Sequence, residues 1–231
     1  MDERKQKILQ SIIDEYVASG SPVGSGIIVE KYIHDVSSPT IRNNMQELER
    51  AGYITQPHTS AGRIPTEAGY RFYLEHLLQS KKISSSHERL IMEARDAASE
   101  EEQRIKQTAK KIAELSGEAV VIGFTPHDVY YTGLTNIFSK PEFASPDQII
   151  TISSVIDHLD EVMMRIGAVI DQDITVLLGS DNPFGEACGS VLSTAQFGRH
   201  KSIIGILGPM RMDYARNIAF IKHIKQLCNA V

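Results

Sequence analysis

The chain has 231 residues, of which 42% are hydrophobic and 23% are charged, and its formal net charge is −5. This balance is typical of a globular protein with one large domain or two smaller ones. The acidic total excludes a protein that attracts nucleic acid through its overall charge, so a DNA-binding function would have to rest on a local surface.

The sequence shows no feature of a membrane, secreted or disulfide-rich protein. It contains no run of about 18 apolar residues, which a spanning helix would need. Its first residues, "MDERKQKILQ", lack the apolar core of a secretory signal. The two cysteines, Cys188 and Cys228, are too few for a disulfide framework or a metal cluster. We therefore expect a cytoplasmic protein with two buried, unreactive thiols.

The N-terminal part of the chain predicts three helices. Apolar residues recur at helical spacing over residues 4–19, and a shorter helix follows over residues 25–32. In the third helix, we expect Ser38 to cap the N-terminus and Pro39 to take the first helical position, where its missing N–H costs nothing. Gly52 is expected to end this helix.

A short turn-rich segment follows the third helix. Residues 53–56 and 63–65 predict two strands around the tip "PHTSAG", and residues 67–78 predict a fourth helix. Three helices, a two-stranded flap and a returning helix are the plan of a winged helix-turn-helix domain, a form of the DNA-binding helix-turn-helix. We place this domain at residues 1–80.

The third helix carries the candidate DNA-binding surface. If its apolar stripe is buried, the other side presents arginine and amide side chains, which pair with guanine and adenine edges in the major groove. The helix N-terminus and the polar flap suit phosphates. The candidate residues are Ser38, Thr40, Arg42, Asn43, Gln46, His58, Thr59, Ser60 and Arg63. Two alternatives stay open here: a merely solvated helix face, and a winged helix that binds protein.

A helical connector is predicted between the two domains, at residues 81–116. The polar stretch "QSKKISSSH" favours a break, and residues 88–115 contain no glycine or proline, which favours one long helix. A heptad reading places Ile91, Ile105 and Ile112 at one core position, but Glu101 and Thr108 fall at the other. The helix could therefore form a coiled coil or lie against a neighbouring domain.

Residues 117–231 predict a second, mixed domain. The segments "EAVVIGF", "DVYYTGL", "DITVLLG", "GSVLSTAQF" and "SIIGILGP" predict five strands, and residues 149–170 and 213–228 predict helices. This order indicates an α+β domain with an antiparallel sheet. In "GPMRMDYAR" we expect a strand-to-helix corner, with Asp213 capping the helix and the arginines paired with acids.

No catalytic or cofactor-binding constellation is apparent. His58 and His76 have no cysteine near them in sequence, and Cys188 has the setting of a buried structural thiol. The glycines of "GILGPMRMDYAR" do not form a strand-to-helix GxGxxG motif. We therefore expect no enzymatic activity, no cofactor and no metal.

The stretch "SSPTIRNNMQELERAGYITQPHTSAGRIPTEAGYRFY" resembles the DNA-binding region of the HrcA family of heat-inducible transcription repressors. The segments "YYTGLTNIFSKPEF", "NPFGEACGSVLSTAQFGR" and "IGILGPMRMDYARNI" resemble later parts of that family. The resemblance implies a repressor of chaperone operons that binds an inverted-repeat operator as a homodimer. It also implies a GAF-like second domain, the chaperonin GroEL as a modulating partner, and Asn44 as a further DNA-contacting residue.

This chain differs from the family pattern in one respect. Family members are longer and carry an inserted dimerisation domain between the equivalents of "AVVIGF" and "YYTGL", where this chain has only a few residues around "TPHDV". We expect an abbreviated GAF-like domain and pairing of subunits through the 88–115 helix or the C-terminal sheet. Two rival functions stay open: a small-molecule-sensing winged-helix regulator, and an interaction module without operator specificity.

Overall fold

A computed structural model describes residues 1–125, 128–170, 173–197 and 200–229. The chain divides into two compact units, Met1–Gln79 and Ser80–Val231. Among the described residues, no helix has the length and apolar character needed to cross a membrane.

The first unit consists of four helices and one β-hairpin, in the predicted order. The helices are α1 (Glu3–Ser19), α2 (Ser25–Lys31), α3 (Ser38–Arg50) and α4 (Glu67–Phe72), the last continued by a π-helical turn (Tyr73–Leu77). The strands β1 (Ile54–Thr55) and β2 (Ile64–Pro65) pair antiparallel, with Ile54 opposite Pro65. We call residues 54–65 the hairpin.

Apolar stripes from the helices form the core of the first unit. Ile8 and Ile12 of α1, Ile41 of α3 and Tyr70 of α4 are all almost fully buried. The spacing of Ile41, Met45 and Leu48 places them on one side of α3, and all three are buried as predicted. The opposite side of α3 is therefore turned outward.

The N-cap of α3 is Ser37, so the prediction of Ser38 was wrong by one residue. Ser37 has extended backbone angles, and its hydroxyl accepts the backbone N–H of Thr40 at 3.4 Å. Ser38 is already helical, and its hydroxyl lies 2.9 Å from the hydroxyl of Ser25. The sequence "SSP" offers two adjacent capping serines, and the contact with α2 engages the second.

The second unit has an antiparallel five-stranded sheet with helices packed on it. Its helices are α5 (Ser85–Asp96), α6 (Glu101–Ser116), α7 (Leu134–Phe138), α8 (Pro146–Asp157), α9 (Leu159–Val169) and α10 (Tyr214–Asn229). Its strands are β3 (Ala119–Thr125), β4 (Asp128–Thr132), β5 (Thr175–Leu178), β6 (Cys188–Phe197) and β7 (His200–Pro209), in the order β4-β3-β7-β6-β5. The chain is thus an α+β protein.

Both faces of this sheet are buried. Ala119 and Val121 of β3 belong to an apolar cluster with α8 and α9, whereas the intervening Val120 and Ile122 are equally buried and point to the other face. Helices α6 and α10 pack against the sheet and against each other. The short connection around "TPHDV" includes residues 126 and 127, which lie outside the described residues.

Two long helices predicted from the sequence are each interrupted. Residues 97–100 separate α5 from α6, which pack against each other, so Ile91, Ile105 and Ile112 are buried inside the second unit. Likewise His158, with φ −118° and ψ 30°, separates α8 from α9. Neither break contains glycine or proline. Tertiary packing therefore determines where each helix ends, because the break lets the apolar stripes of both resulting helices be buried.

Candidate nucleic-acid interface

A groove between α3 and the hairpin brings half of the predicted site residues together. Its volume is about 400 Å³. We call it the α3–hairpin groove, and it is lined by Val23, Gly24, Ser25, Arg42, Met45, Gln46, Gln56, Thr59, Ser60, Ala61, Gly62 and Arg63. Five residues predicted from the sequence line it, namely Arg42, Gln46, Thr59, Ser60 and Arg63, whereas the other five do not.

The outward side of α3 presents side chains that are not engaged within the protein. Arg42, Asn43 and Gln46 are exposed, and within the described part of the chain no hydrogen bond or ion pair engages their side chains. Arginine and amide groups with unused donors and acceptors can pair with base edges or with phosphates. This side of α3 is therefore chemically available for a ligand.

The side chains at the start of α3 are, by contrast, engaged locally. The hydroxyl of Thr40 lies 2.9 Å from that of Ser37, and the amide of Asn44 donates to the carbonyl of Thr40 at 2.8 Å. Ser38, Thr40 and Asn44 are all half-buried. These three predicted residues shape the helix N-terminus, and their side chains are less available than those of Arg42 and Gln46.

The hairpin tip is shaped by Gln56, which is not among the site residues predicted from the sequence. Its amide nitrogen donates to the carbonyls of both Thr59 and Ala61, each at 2.9 Å. His58, Thr59 and Ser60 are exposed at the tip. A glutamine just before a turn-rich segment is the only sequence signal for this role, and it does not identify which carbonyls the amide will contact.

The hairpin also approaches the start of α2 closely. Val23 and Arg63 exchange backbone hydrogen bonds of 2.8 and 2.9 Å, which form an isolated antiparallel β-bridge next to β2. A Cβ atom on Gly62 would lie 2.5 Å from the carbonyl carbon of Val23. Only glycine permits this approach, so Gly62 fixes one wall of the α3–hairpin groove.

Ion pairs neutralise both acidic residues of α3. The guanidinium of Arg63 contacts one carboxylate oxygen of Glu49, with its Nε at 3.0 Å and its Nη2 at 2.9 Å. On α1, Lys5 lies 2.7 Å from a carboxylate oxygen of Glu47, and this hydrogen bond, followed by one to Asp2, raises the pKa of Lys5. Because both acids are paired, Arg42 leaves this side of α3 locally positive.

No metal or nucleophile site was found in the described ranges. They contain no group of three or more histidine, cysteine, aspartate or glutamate side chains placed to hold a metal ion. Cys188 and Cys228 are buried, and burial raises the pKa of each thiol to about 12. At neutral pH both thiols are therefore protonated, which makes them poor nucleophiles and poor metal ligands.

Comparison with known proteins assigns the chain to a family. A family model described as "HrcA protein C terminal domain" matches residues 66–218, more than half of the chain. This chain belongs to the HrcA family. The match includes all of the sheet of the second unit, so membership does not depend on the α3–hairpin groove.

Individual HrcA proteins are similar to this chain over different lengths. The heat-inducible transcription repressor HrcA of Carboxydothermus hydrogenoformans is 24% identical over 335 positions that include 100% of this chain and 98% of that protein. The HrcA protein of Pelotomaculum thermopropionicum is 44% identical over 123 residues, which cover 53% of this chain and 35% of that protein. The first alignment spans 335 positions against 231 residues here, so that relative has many positions without a counterpart in this chain.

One solved structure has the same fold. A crystal structure of a hypothetical protein superposes with a TM-score of 0.78 at 19% identity, covering 100% of this chain and 98% of that one. This likeness concerns the fold alone.

Proposed function

We propose that this HrcA-family protein is a sequence-specific DNA-binding transcriptional repressor of heat-shock genes. The family assignment supports this proposal, since the relatives are named heat-inducible transcription repressors. The single structural observation that carries it is the α3–hairpin groove, where Arg42 and Gln46 face the hairpin hydroxyls of Thr59 and Ser60. Unengaged arginine, amide and hydroxyl groups along one groove are suited to duplex DNA.

In this proposal, residues 1–80 form a winged helix-turn-helix domain with α3 as the recognition helix. An α-helix fits the major groove of B-DNA, where Arg42 would pair with guanine and Asn43 or Gln46 with adenine. The half-buried Ser38, Thr40 and Asn44 would present the helix N-terminus to a phosphate. The hairpin would be the wing, with His58, Thr59 and Ser60 along the flanking backbone and Arg63 at the start of its returning strand.

The second unit would regulate or pair the subunits. We propose residues 117–231 as an abbreviated GAF-like domain and residues 81–116 as a helical linker that packs onto it. An inverted-repeat operator requires two copies of the protein, so a homodimer is part of the proposal. Because Ile91, Ile105 and Ile112 are buried within one chain and both faces of the sheet are covered, an edge strand of the C-terminal sheet, β4 or β5, is the better candidate for pairing. The cytoplasmic location follows the expectation from the cysteines and the N-terminal sequence, and the chaperonin GroEL as modulator rests on the resemblance to the family.

The proposal is tested by selecting binding sites from a randomised duplex library with the full chain. We expect an inverted repeat to emerge and to bind at least about a thousandfold more tightly than a scrambled duplex of equal length. Sedimentation of the complex should give two chains per duplex. Recovery of no consensus, or equal affinity for the two duplexes, would contradict sequence-specific repression. A consensus bound by one chain would contradict only the homodimer.

A further inference from the structure

The side chain of Arg63 is engaged within the protein, unlike that of an arginine free to contact a DNA phosphate. Its side chain is only 17% exposed, and its Nε donates to a carboxylate oxygen of Glu49 at 3.0 Å. Its Nη2 lies 2.9 Å from the same oxygen, and the Glu49 side chain is 32% exposed. The backbone of Arg63 is fixed as well, through two hydrogen bonds to Val23. An arginine held at both ends has little freedom to reach a phosphate outside the protein.

The Glu49–Arg63 pair joins two walls of the α3–hairpin groove. Glu49 lies in the last turns of α3, and Arg63 begins the returning side of the hairpin. A flexible hairpin would lose conformational freedom when it docks on a ligand, and that loss would weaken binding. The Glu49–Arg63 ion pair reduces this loss of conformational freedom, because it holds the hairpin beside α3 in the free protein.

Gln56 fixes the tip of the same hairpin. One amide nitrogen uses both of its hydrogens on the carbonyls of Thr59 and Ala61, and the N–H of Ala61 in turn donates to the carbonyl of His58 at 2.9 Å. With these carbonyls engaged, the hydroxyls of Thr59 and Ser60 are left at the surface. The carbonyls of His58, Thr59 and Ala61 are thus engaged within the hairpin, while hydroxyls that can donate are exposed, which suits an anionic partner.

We infer that Glu49 and Gln56 are positioning residues for the hairpin, and that Arg63 acts through Glu49 and not on a phosphate. This inference rests on the proposed DNA-binding function, which it deepens. It makes a counterintuitive prediction about charge. Removing the carboxylate of Glu49 should weaken DNA binding, although loss of a negative charge near a polyanion ordinarily strengthens it.

The test is a set of titrations of the selected duplex with full-length Glu49→Ala, Arg63→Ala and the double variant. A part-exposed ion pair predicts a loss of affinity of about fivefold for each single variant. The double variant should bind the duplex no more weakly than either single variant, since all three lose the same ion pair. Glu47→Ala is the matched control, because it removes the same charge from the same helix without touching the hairpin. It should bind at least as tightly as the parent.

The salt dependence separates positioning from direct contact. Arg63→Ala should keep the parent's slope of log affinity against log salt, whereas loss of a phosphate contact would reduce that slope by about 1. Tighter binding by Glu49→Ala, a reduced slope for Arg63→Ala or additive losses would each overturn the inference. Glu49→Gln, which keeps the side-chain shape, repeats the test if Glu49→Ala unfolds.

A measurement without DNA distinguishes failure of this inference from failure of the proposed function. Amide hydrogen exchange of Ala61 and Arg63 reports on the hairpin directly, because both N–H groups are hydrogen-bonded in the free protein. We expect faster exchange at both sites in Glu49→Ala and at Ala61 in Gln56→Met, and exchange like that of the parent in Glu47→Ala. This result would support the positioning roles even if no duplex binds. Unchanged exchange in Glu49→Ala and Gln56→Met would overturn them.

Discussion

Charged side chains have different environments, and different roles, in the α3–hairpin groove and at the start of β3. In the groove, Arg42 is exposed, and no ion pair involves it in the described part of the chain. At the start of β3, Glu118 is only 3% exposed, and the ammonium of Lys140 lies 2.5 Å from its carboxylate. A free surface charge costs the fold little and can bind a ligand, whereas a buried charge requires a partner.

The buried cluster around Glu118 also explains the segment "GPMRMDYAR", which the sequence left as a corner between strand and helix. Asp213 accepts the backbone N–H of Arg216 at 3.0 Å, which confirms its predicted capping role. Arg211 pairs with Glu142, and the guanidinium of Arg216 donates to the carbonyl of Ser116 at 2.8 Å. The two arginines thus tie this corner to other parts of the second unit, a structural role.

The largest expected effect is on stability, from Lys140→Met. Burial raises the pKa of Glu118 and the nearby Lys140 opposes that shift, so losing the lysine leaves a buried carboxylate without its main counter-charge. We expect the free energy of unfolding at pH 7 to fall by about 3 kcal/mol, measured by urea denaturation. The loss should shrink at lower pH, where Glu118 binds a proton. Lys110→Met removes an exposed lysine and serves as the control; equal effects would contradict the comparison.

The next effect is on binding, from Arg42→Ala. We expect a loss of about 1–3 kcal/mol of affinity for the selected duplex and weaker discrimination against single base changes, with the free energy of unfolding unchanged. Gel-shift titration measures the first quantity and thermal melting the second. Arg89→Ala, at an exposed position in the second unit, removes the same charge as a control. An unaltered affinity for Arg42→Ala would show that the unpaired arginine is only a solvated residue.

The smallest effect concerns the link between α1 and α2. Glu15 accepts hydrogen bonds from Lys31 at 2.9 Å and from Tyr32 at 3.0 Å, and the bond from Lys31 is the main cause of its lowered pKa. Because the folded pKa lies below the ordinary value of 4.5, the stabilisation is present above that pH and is lost as the pH falls through the folded pKa.

Glu15→Gln should therefore reduce the free energy of unfolding at pH 7 by about 1 kcal/mol at most, since Lys31 remains half exposed. The gap between the parent and the variant should shrink as the pH falls from 4.5 through the folded pKa. Urea denaturation over a series of pH values measures the difference, and a gap that stays constant with pH would contradict the electrostatic assignment.

Local patterns in the sequence predicted most elements of the fold. The four helices and hairpin of the first unit, the five strands of the second and the buried stripe of α3 follow from apolar periodicity and from turn residues such as Gly52. The helix breaks at residues 97–100 and at His158 could not be predicted, because packing between distant segments decides them. Helix α7 was missed because it is only five residues long.

The sequence could predict several residues of the candidate site but not the hydrogen bonds and ion pairs that they form. Arg42 and Gln46 could be selected because helical spacing places them opposite the buried stripe. The pairing of Arg63 with Glu49 could not, since the two residues are 14 positions apart and on different elements. Gln56 was missed for the same reason: its role depends on which backbone carbonyls the hairpin brings within reach of its amide.

The central claim, that the outward side of α3 lies against DNA, is tested most directly by photo-cross-linking. The selected duplex would carry 5-iodouracil at single positions, and the cross-linked peptides of the full chain would be identified by mass spectrometry. The account predicts cross-links within residues 38–50 from the base positions of each half-site and within residues 56–63 from the flanks. Cross-links confined to α1 or to the second unit would contradict it.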